Sequence, residues 1–234
     1  MINFAIFSLV YLSFALGGLS SRTLSDGVVF SVGVLGRHGN IRKMSLNSLA
    51  YLIGVIIVIA PVVALVGIGV RSLIGLQGRG YVVAALIVSG LTMASSVINI
   101  LVQRNGFSFI GEGINKNRLK RKRVSLSRSV GTFRSDLLFG LLSGGRIIWG
   151  ELGVLIGGIW LLESISGFGI TELVTACLLL SSFMVMVFIM LLYGMNVASL
   201  ERLRKRFALR LSLAGASAGI IIAWSVVAFM MGII

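Results

Sequence analysis

Lys116 to Arg123 reads KNRLKRKR, and it separates two strongly apolar halves of the chain. Each half reads as three membrane spans. Lys and Arg accumulate in the cytoplasmic loops of membrane proteins, so this run fixes one point of the topology. Three spans on either side of a cytoplasmic join must run in opposite directions, which is the plan of an inverted repeat. The expected fold is therefore an all-α integral membrane protein with six transmembrane helices in a 3+3 inverted arrangement. Residues 1–103 form the first half, 104–136 the basic cytoplasmic loop and 137–234 the second half.

Composition supports the membrane assignment. The chain is 57% hydrophobic and 12% charged over 234 residues, with a mean hydropathy of +1.04. Soluble domains carry about 25% charged residues. Here charge is confined to a few segments, and between them lie apolar runs near the length that crosses a bilayer. No polar block is long enough for a second, soluble domain. The net charge of +14 would suit nucleic acid in a soluble protein. In a membrane protein it reads as positive-inside bias and contact with anionic lipid, so no nucleic acid partner is expected.

Outward from the basic run, the spans read as follows. Span 1 begins near Ile2 and runs to about Ser20, where SSRTLSDG (Ser20 to Gly27) interrupts it. The next apolar piece, Val28 to Gly36, is too short to cross alone. Either the first helix is broken at Asp26, or the short piece is re-entrant or interfacial. Irregular backbone at membrane depth survives only under a cover of protein or lining a water-filled cavity. Span 2 covers about Ser45 to Val70 and holds Pro61, the only proline, where a kink is expected. Span 3 covers Tyr81 to Val102, span 4 lies within Leu137 to Leu162, span 5 runs from Ile170 to Tyr193 and span 6 from Leu211 to Ile233. The segment Val124 to Asp136 could form an amphipathic surface helix. The opening stretch lacks a positive n-region and reads as a retained span rather than a removed signal peptide.

The loops after spans 1, 3 and 5 are basic: Arg37, Arg42 and Lys43; the central run; and Glu201 to Arg210. The loop after span 4 carries Glu163 and Glu172. Arg71 and Arg79 are the exceptions after span 2. This alternation predicts a multi-pass protein of the cytoplasmic (inner) membrane with both termini outside. Tyr81, Trp160 and Tyr193 fall near span ends, where interface anchors sit.

Glycine is frequent, with 30 residues, and small residues let membrane helices approach closely. Gly150, Gly153, Gly157 and Gly158 on span 4, and Gly215 and Gly219 on span 6, read as helix-packing faces that could alternatively make a homo-oligomer contact.

Intramembrane ionisable residues mark candidate functional positions. Asp26 lies at the break, where it could cap the next helix or face a substrate. Arg146 and Glu151 lie in span 4; five residues place them about 140° apart on a helix, so each should find a different neighbour. Arg146 could simply snorkel to phosphate. Asn47, Tyr51 and Asn99 are polar wall candidates or plain interhelical hydrogen-bonding groups. Lys116, Arg118, Lys120, Arg121, Lys122 and Arg123 are candidates for lipid headgroup or partner contact.

Cys177 and His38 are the only residues of their kind, which excludes an internal disulfide, a CxxC pair and a multi-histidine metal centre. No GxxxxGK[ST], GxSxG or HExxH motif occurs, and the polar residues in the spans form no recognisable nucleophile–base pair. No catalytic residue, metal or cofactor is expected.

Asp26-Gly27, the apolar stretch, the short basic loop and Ala50-Tyr51-Leu52-Ile53-Gly54 resemble the Sap/GAP family. These are the sulfolipid- and glycopeptidolipid-addressing proteins, grouped with the lysine-exporter-like superfamily. Leu200 to Ile233 resembles that family's basic loop and glycine-rich last span. Where the family tends to have Asp-Pro, this chain has Asp26-Gly27, and glycine can also break a helix. The resemblance implies six spans and a protein that helps move cell-envelope glycolipids outward beside a larger lipid transporter. The function expected is thus a transporter or export accessory protein for (glyco)lipids or small amphipathic molecules. The alternative is a non-transporting scaffold subunit of a larger membrane complex. The expected partners are membrane lipids with a larger lipid transporter or other membrane subunits.

Overall fold

The computed structural model describes residues 2–19, 30, 41–105, 132–182 and 197–233. Within these the chain is helical: α1 (Ile2–Gly18), α2 (Ile41–Ile74), α3 (Arg79–Asn105), α4 (Phe133–Ile165), α5 (Ile170–Leu180) and α6 (Val197–Met230). Four stretches are long and apolar enough to cross a membrane: Ser45–Ile74, Arg79–Leu101, Phe133–Ile165 and Leu213–Met230. Asn3–Gly18 and Ile170–Leu180 are shorter apolar helices. The protein is accordingly a helical membrane protein.

Several helices outrun their expected spans. The segment Glu201 to Arg210, expected as a loop, is helical and continuous with α6. It is built almost wholly from Leu, Arg, Lys, Ala and Glu, all strong helix formers, and holds no Gly or Pro. Helix α4 starts at Phe133 rather than Leu137 because Thr132 caps it. The Thr132 hydroxyl accepts from Ser135 N–H at 3.4 Å, and Ser135 Oγ accepts from Thr132 N–H at 3.3 Å, so two otherwise orphaned donors are satisfied. Helix α2 runs on through Pro61 to Ile74. The α2–α3 turn uses Gly78 at φ +60°, and the α4–α5 turn uses Gly167 at φ +83°. Only glycine adopts such angles without steric cost.

Contacts between named residues set the helix directions. Tyr51 meets Ser143 and Arg71 meets Glu163, so α2 and α4 are parallel. Gly157 meets Ile222 and Val154 meets Gly219, so α4 and α6 are parallel. Tyr81 stacks near Trp160 while Asn99 reaches Gly150, so α3 opposes α4. Gly158 meets Val10 and Phe14 while Gly17 meets Glu151, so α1 also opposes α4. Helix α5 leaves the turn at Phe168, which lies against Gly67 near the end of α2, and closes beside Gly18 of α1. It therefore runs the same way as α1. The N-terminal ends of α2 and α6 are basic; the opposite end of the bundle carries Arg71, Arg79, Glu163 and Glu172.

Helix α4 is the hub. It packs on α1, α2, α3 and α6, and its apolar stretch is the most buried of the four long ones. Glycine makes this possible. A Cβ on Gly140 would strike Tyr51 O, and one on Gly54 would strike Leu137 O. Each glycine thus receives the carbonyl three residues before the other, a reciprocal backbone contact of two parallel helices. Gly153 and Gly157 face Ser95 and Thr92 of α3, Gly158 faces α1, and Gly219 faces Ser96 and Val154. These glycines are consumed inside the bundle. Trp160, expected as an interface anchor, is fully buried against Tyr81, at 5.7 Å between ring centroids. Trp149 and Trp224 are the exposed indoles.

Candidate functional site

The two charges of α4 look to different neighbours, as a five-residue separation on a helix requires. Arg146 is near enough to the Tyr51 hydroxyl for its charge to act there. Tyr51 is itself buried. Its O–H donates to Ser143 Oγ at 2.6 Å, and its ring lies 4.4 Å from Phe30 and 5.6 Å from Phe139, centroid to centroid. Phe30 is wholly buried, so the piece that follows Asp26 in sequence enters the protein interior at this residue. Toward the basic end, Asn47 and Ser48 of α2 and Ser135 and Asp136 of α4 are buried as well. Each of these four, with Ser143, Arg146 and Glu151, has an interaction partner of its own. Of these, Ser143 is joined across the α2–α4 seam, by the Tyr51 hydroxyl.

Glu151 points to the other side, toward α1. Its Cγ, Cδ and Oε2 lie over Gly17, at 3.0–3.1 Å from the place a Cβ would occupy. Helix α1 ends one residue later, at Gly18. Glu151 is near the midpoint of the 33-residue α4, so α1 terminates at mid-height of the bundle. Helix α5 ends beside it: a Cβ on Gly18 would strike Leu179 O and stand 2.7 Å from Leu180 O and 2.8 Å from Ser182 Oγ. The hydroxyls here are turned onto helix carbonyls. Ser181 Oγ donates to Cys177 O at 2.8 Å, and Ser182 Oγ to Ala15 O at 3.4 Å. Two helix ends and a carboxylate thus meet at one level.

Asn99 has a structural position. Its Nδ2 donates to Gly150 O at 2.8 Å, in line with Thr92 Oγ1 donating to Gly153 O at 2.9 Å and Ser89 Oγ to Ala223 O at 2.9 Å. These bonds tie α3 to α4 and α6.

Of the residues expected from sequence, Tyr51 lies on the α2–α4 seam, Asn47 is buried on α2 and Arg146 is near enough to Tyr51 for its charge to act there. Glu151 lies at the α1–α5 junction and Asn99 at the α3–α4 seam. Asp26 and the run Lys116, Arg118, Lys120, Arg121, Lys122 and Arg123 lie outside the described residues. Asp136, Ser143 and the α1–α5 junction were missed. The Thr132-x-x-Ser135 cap was the legible signal for a helix that takes Asp136 into its first turn; Ser143 and the junction had none. Among the described residues no group of three His, Cys, Asp or Glu comes together as a metal site.

No protein-family model, curated protein or solved structure matches this chain.

Proposed function

We propose that this chain is a six-pass protein of the cytoplasmic membrane that moves, or helps to move, a cell-envelope (glyco)lipid or small amphipathic molecule. The alternating helix directions and the basic ends of α2 and α6 support six crossings with both termini outside. The packing pattern supports an inverted repeat. Exchanging α1 with α4, α2 with α5 and α3 with α6 turns the parallel pair α2–α4 into the parallel pair α1–α5. It turns α3–α4 into α1–α6 and maps α1–α4, α2–α5 and α3–α6 onto themselves. All of these pairs are in contact, whereas the α4–α6 and α2–α3 contacts have no counterpart of similar extent in α1–α3 and α5–α6.

The observation that carries the reading is the meeting of two helix ends with Glu151 at mid-height. Transporters of inverted-repeat design place their sites at the midplane, where discontinuous helices end. Interrupted helices and a charged residue at that depth suit a transport site. The Sap/GAP resemblance supplies the substrate class and a larger lipid transporter as the partner.

The test compares surface lipids of cells lacking the protein with cells rescued by wild type or by Arg146→Ala, Glu151→Ala or Asp26→Ala. Rescue by wild type and failure of the triple variant, at equal membrane abundance, supports the reading. Full rescue by the triple variant sinks it.

The competing reading is a non-transporting subunit of a larger complex. It draws on Leu138, Leu142 and Trp149, which are exposed on the hub helix around Gly145, a glycine with no neighbour within 4 Å of its Cβ position. Co-purification of a stoichiometric partner that is lost in Trp149→Ala would favour it.

A further inference from the structure

Arg71 and Arg79 both stand at the end of the bundle away from the basic ends of α2 and α6, against the positive-inside pattern. Glu163 holds Arg71 there. The two carboxylates of that end are already engaged. Glu163 accepts from Arg71 and from Phe168 N–H, and Glu172 accepts from Gly169 N–H at 2.8 Å and Thr171 Oγ1 at 3.1 Å. Arg79 is exposed and enters no ion pair or side-chain hydrogen bond among the described residues. Its charge is open to an anion from outside the chain.

Arg79 is also the first residue of α3. The N–H groups of a first helical turn lack intrahelical partners and carry the positive end of the helix dipole. Nothing in the chain neutralises this one. The first turn of α3 holds no acidic residue, and Gly78, which precedes it, has no side chain to cap it. A Cβ on Gly78 would meet nothing within 4 Å, and one on Gly80 would meet only the Leu76 side chain. The two glycines therefore leave the backbone N–H groups approachable.

A second observation points to the same place. Trp160 is wholly buried, and its ring lies against that of Tyr81, in the first turn of α3. The Trp160 indole Nε1–H has no hydrogen-bond partner, and neither has the buried Oγ of Ser164. Four residues apart, the two lie on one face of α4, with Ser164 one turn nearer the end. Buried polar atoms are nearly always satisfied, and an indole N–H can only donate. Arginine, helix N-terminus and indole thus all call for an oxygen acceptor, and the first two call for a charged one.

We propose that the start of α3 binds the phosphate of an anionic lipid headgroup. Arg79 and the first-turn N–H groups hold the charge. Tyr81 is the lid over the deeper donors, and its displacement admits one headgroup oxygen to Trp160 Nε1–H and Ser164 Oγ. The assignment to the outer leaflet rests on the proposed topology. It deepens the transport reading by giving a moved lipid a place to arrive, yet binding is measured without transport and can fail while the transport test succeeds.

The site carries its own reporter. The chain has three tryptophans, and Trp149 and Trp224 are exposed, so Trp149→Phe with Trp224→Phe leaves Trp160 as the only indole. The full chain in detergent is titrated with phosphatidylglycerol, phosphatidylcholine or inorganic phosphate while Trp160 emission is followed. Phosphatidylglycerol should change the emission saturably. Arg79→Ala should raise the half-saturating concentration roughly five-fold, Arg79→Lys should restore much of the affinity, and Arg210→Ala, at the basic end, should leave it unchanged. Should the single-indole variant fail to fold, native mass spectrometry of wild type and Arg79→Ala carries the test, with one fewer retained phosphatidylglycerol expected in the variant. No response to phosphatidylglycerol, or an undiminished one in Arg79→Ala, overturns the proposal. An equal response to phosphatidylcholine overturns it as well, and an equal response to inorganic phosphate reassigns the site to a free anion.

Discussion

Arg71 of α2 holds Glu163 of α4 in a salt bridge at 2.8 Å, across 92 residues of sequence, and Tyr51 meets Ser143 across the same 92 residues. The repeated offset means that α2 and α4 stay in step over the twenty residues between the two contacts. Beside the Tyr51–Ser143 contact lies the Gly54–Gly140 backbone contact. The outer bridge has further anchors: Arg71 also donates to Phe168 O at 3.1 Å, and Glu163 accepts from Phe168 N–H. The only two expected exceptions to the positive-inside pattern were Arg71 and Arg79; the bridge accounts for Arg71.

The bridge is asymmetric. Arg71 is solvated and Glu163 is largely covered. Glu163→Ala removes the acceptor of both the guanidinium and Phe168 N–H, whereas Arg71→Ala loses its bond to Phe168 O but leaves the Phe168 N–H bond to Glu163 in place. Glu163→Ala should lower the thermal midpoint in detergent by more than Arg71→Ala. High salt should narrow the gap between wild type and Arg71→Ala, since exposed ion pairs are screened. Equal losses would argue that the Phe168 bond carries nothing.

Gly140→Ala should be among the most damaging small substitutions in the chain. Its Cβ meets a backbone carbonyl that cannot turn aside, and overpacking of this kind costs roughly 2–3 kcal/mol. Gly145→Ala, five residues on, has open space and should change stability by about 0.5 kcal/mol or less. Comparable unfolding midpoints for the two variants would contradict the reciprocal α2–α4 contact.

Tyr51 and Ser143 should show the asymmetry of a buried hydrogen bond. Tyr51→Phe keeps the ring against Phe30 and Phe139 and loses one bond, about 1 kcal/mol. Ser143→Ala strands the phenolic O–H in the interior and should cost more, about 1–3 kcal/mol. The double variant should then be close to Tyr51→Phe plus the other interaction that Ser143 makes. A chemical denaturation series on the three variants measures this, and a Ser143→Ala milder than Tyr51→Phe would rule it out.

The proposed orientation can be read with thiol chemistry, because Cys177 is the only cysteine. In a Cys177→Ala background, Gln77→Cys between α2 and α3 should react with an impermeant maleimide on intact cells. Ser125→Cys, beside the basic run, should react only after permeabilisation. The reverse pattern would invert the topology.

Much of the fold is legible in the residues. Apolar runs placed the helices, and the capping pair Thr132 and Ser135 and the turn glycines Gly78 and Gly167 mark ends that local chemistry dictates. Boundaries were missed where a basic segment, Glu201 to Arg210, was read for its charge rather than for its helix-forming residues. The site was less legible. That Arg146 and Glu151 must face different neighbours followed from helix geometry, but not which neighbours.

The amino-acid sequence by itself determined that this is a membrane protein of apolar helices with one basic side, and that α4 would be glycine-rich and charged. Only the tertiary structure decided that Gly140 meets Gly54, that Trp160 and Asp136 are buried while Trp149 is exposed, and that Glu151 sits where α1 and α5 end. The physical reason is the solvent. In water, apolar periodicity separates core from surface, but lipid is as apolar as the protein interior. Hydropathy therefore finds the helices and is silent about which face of each one meets another helix.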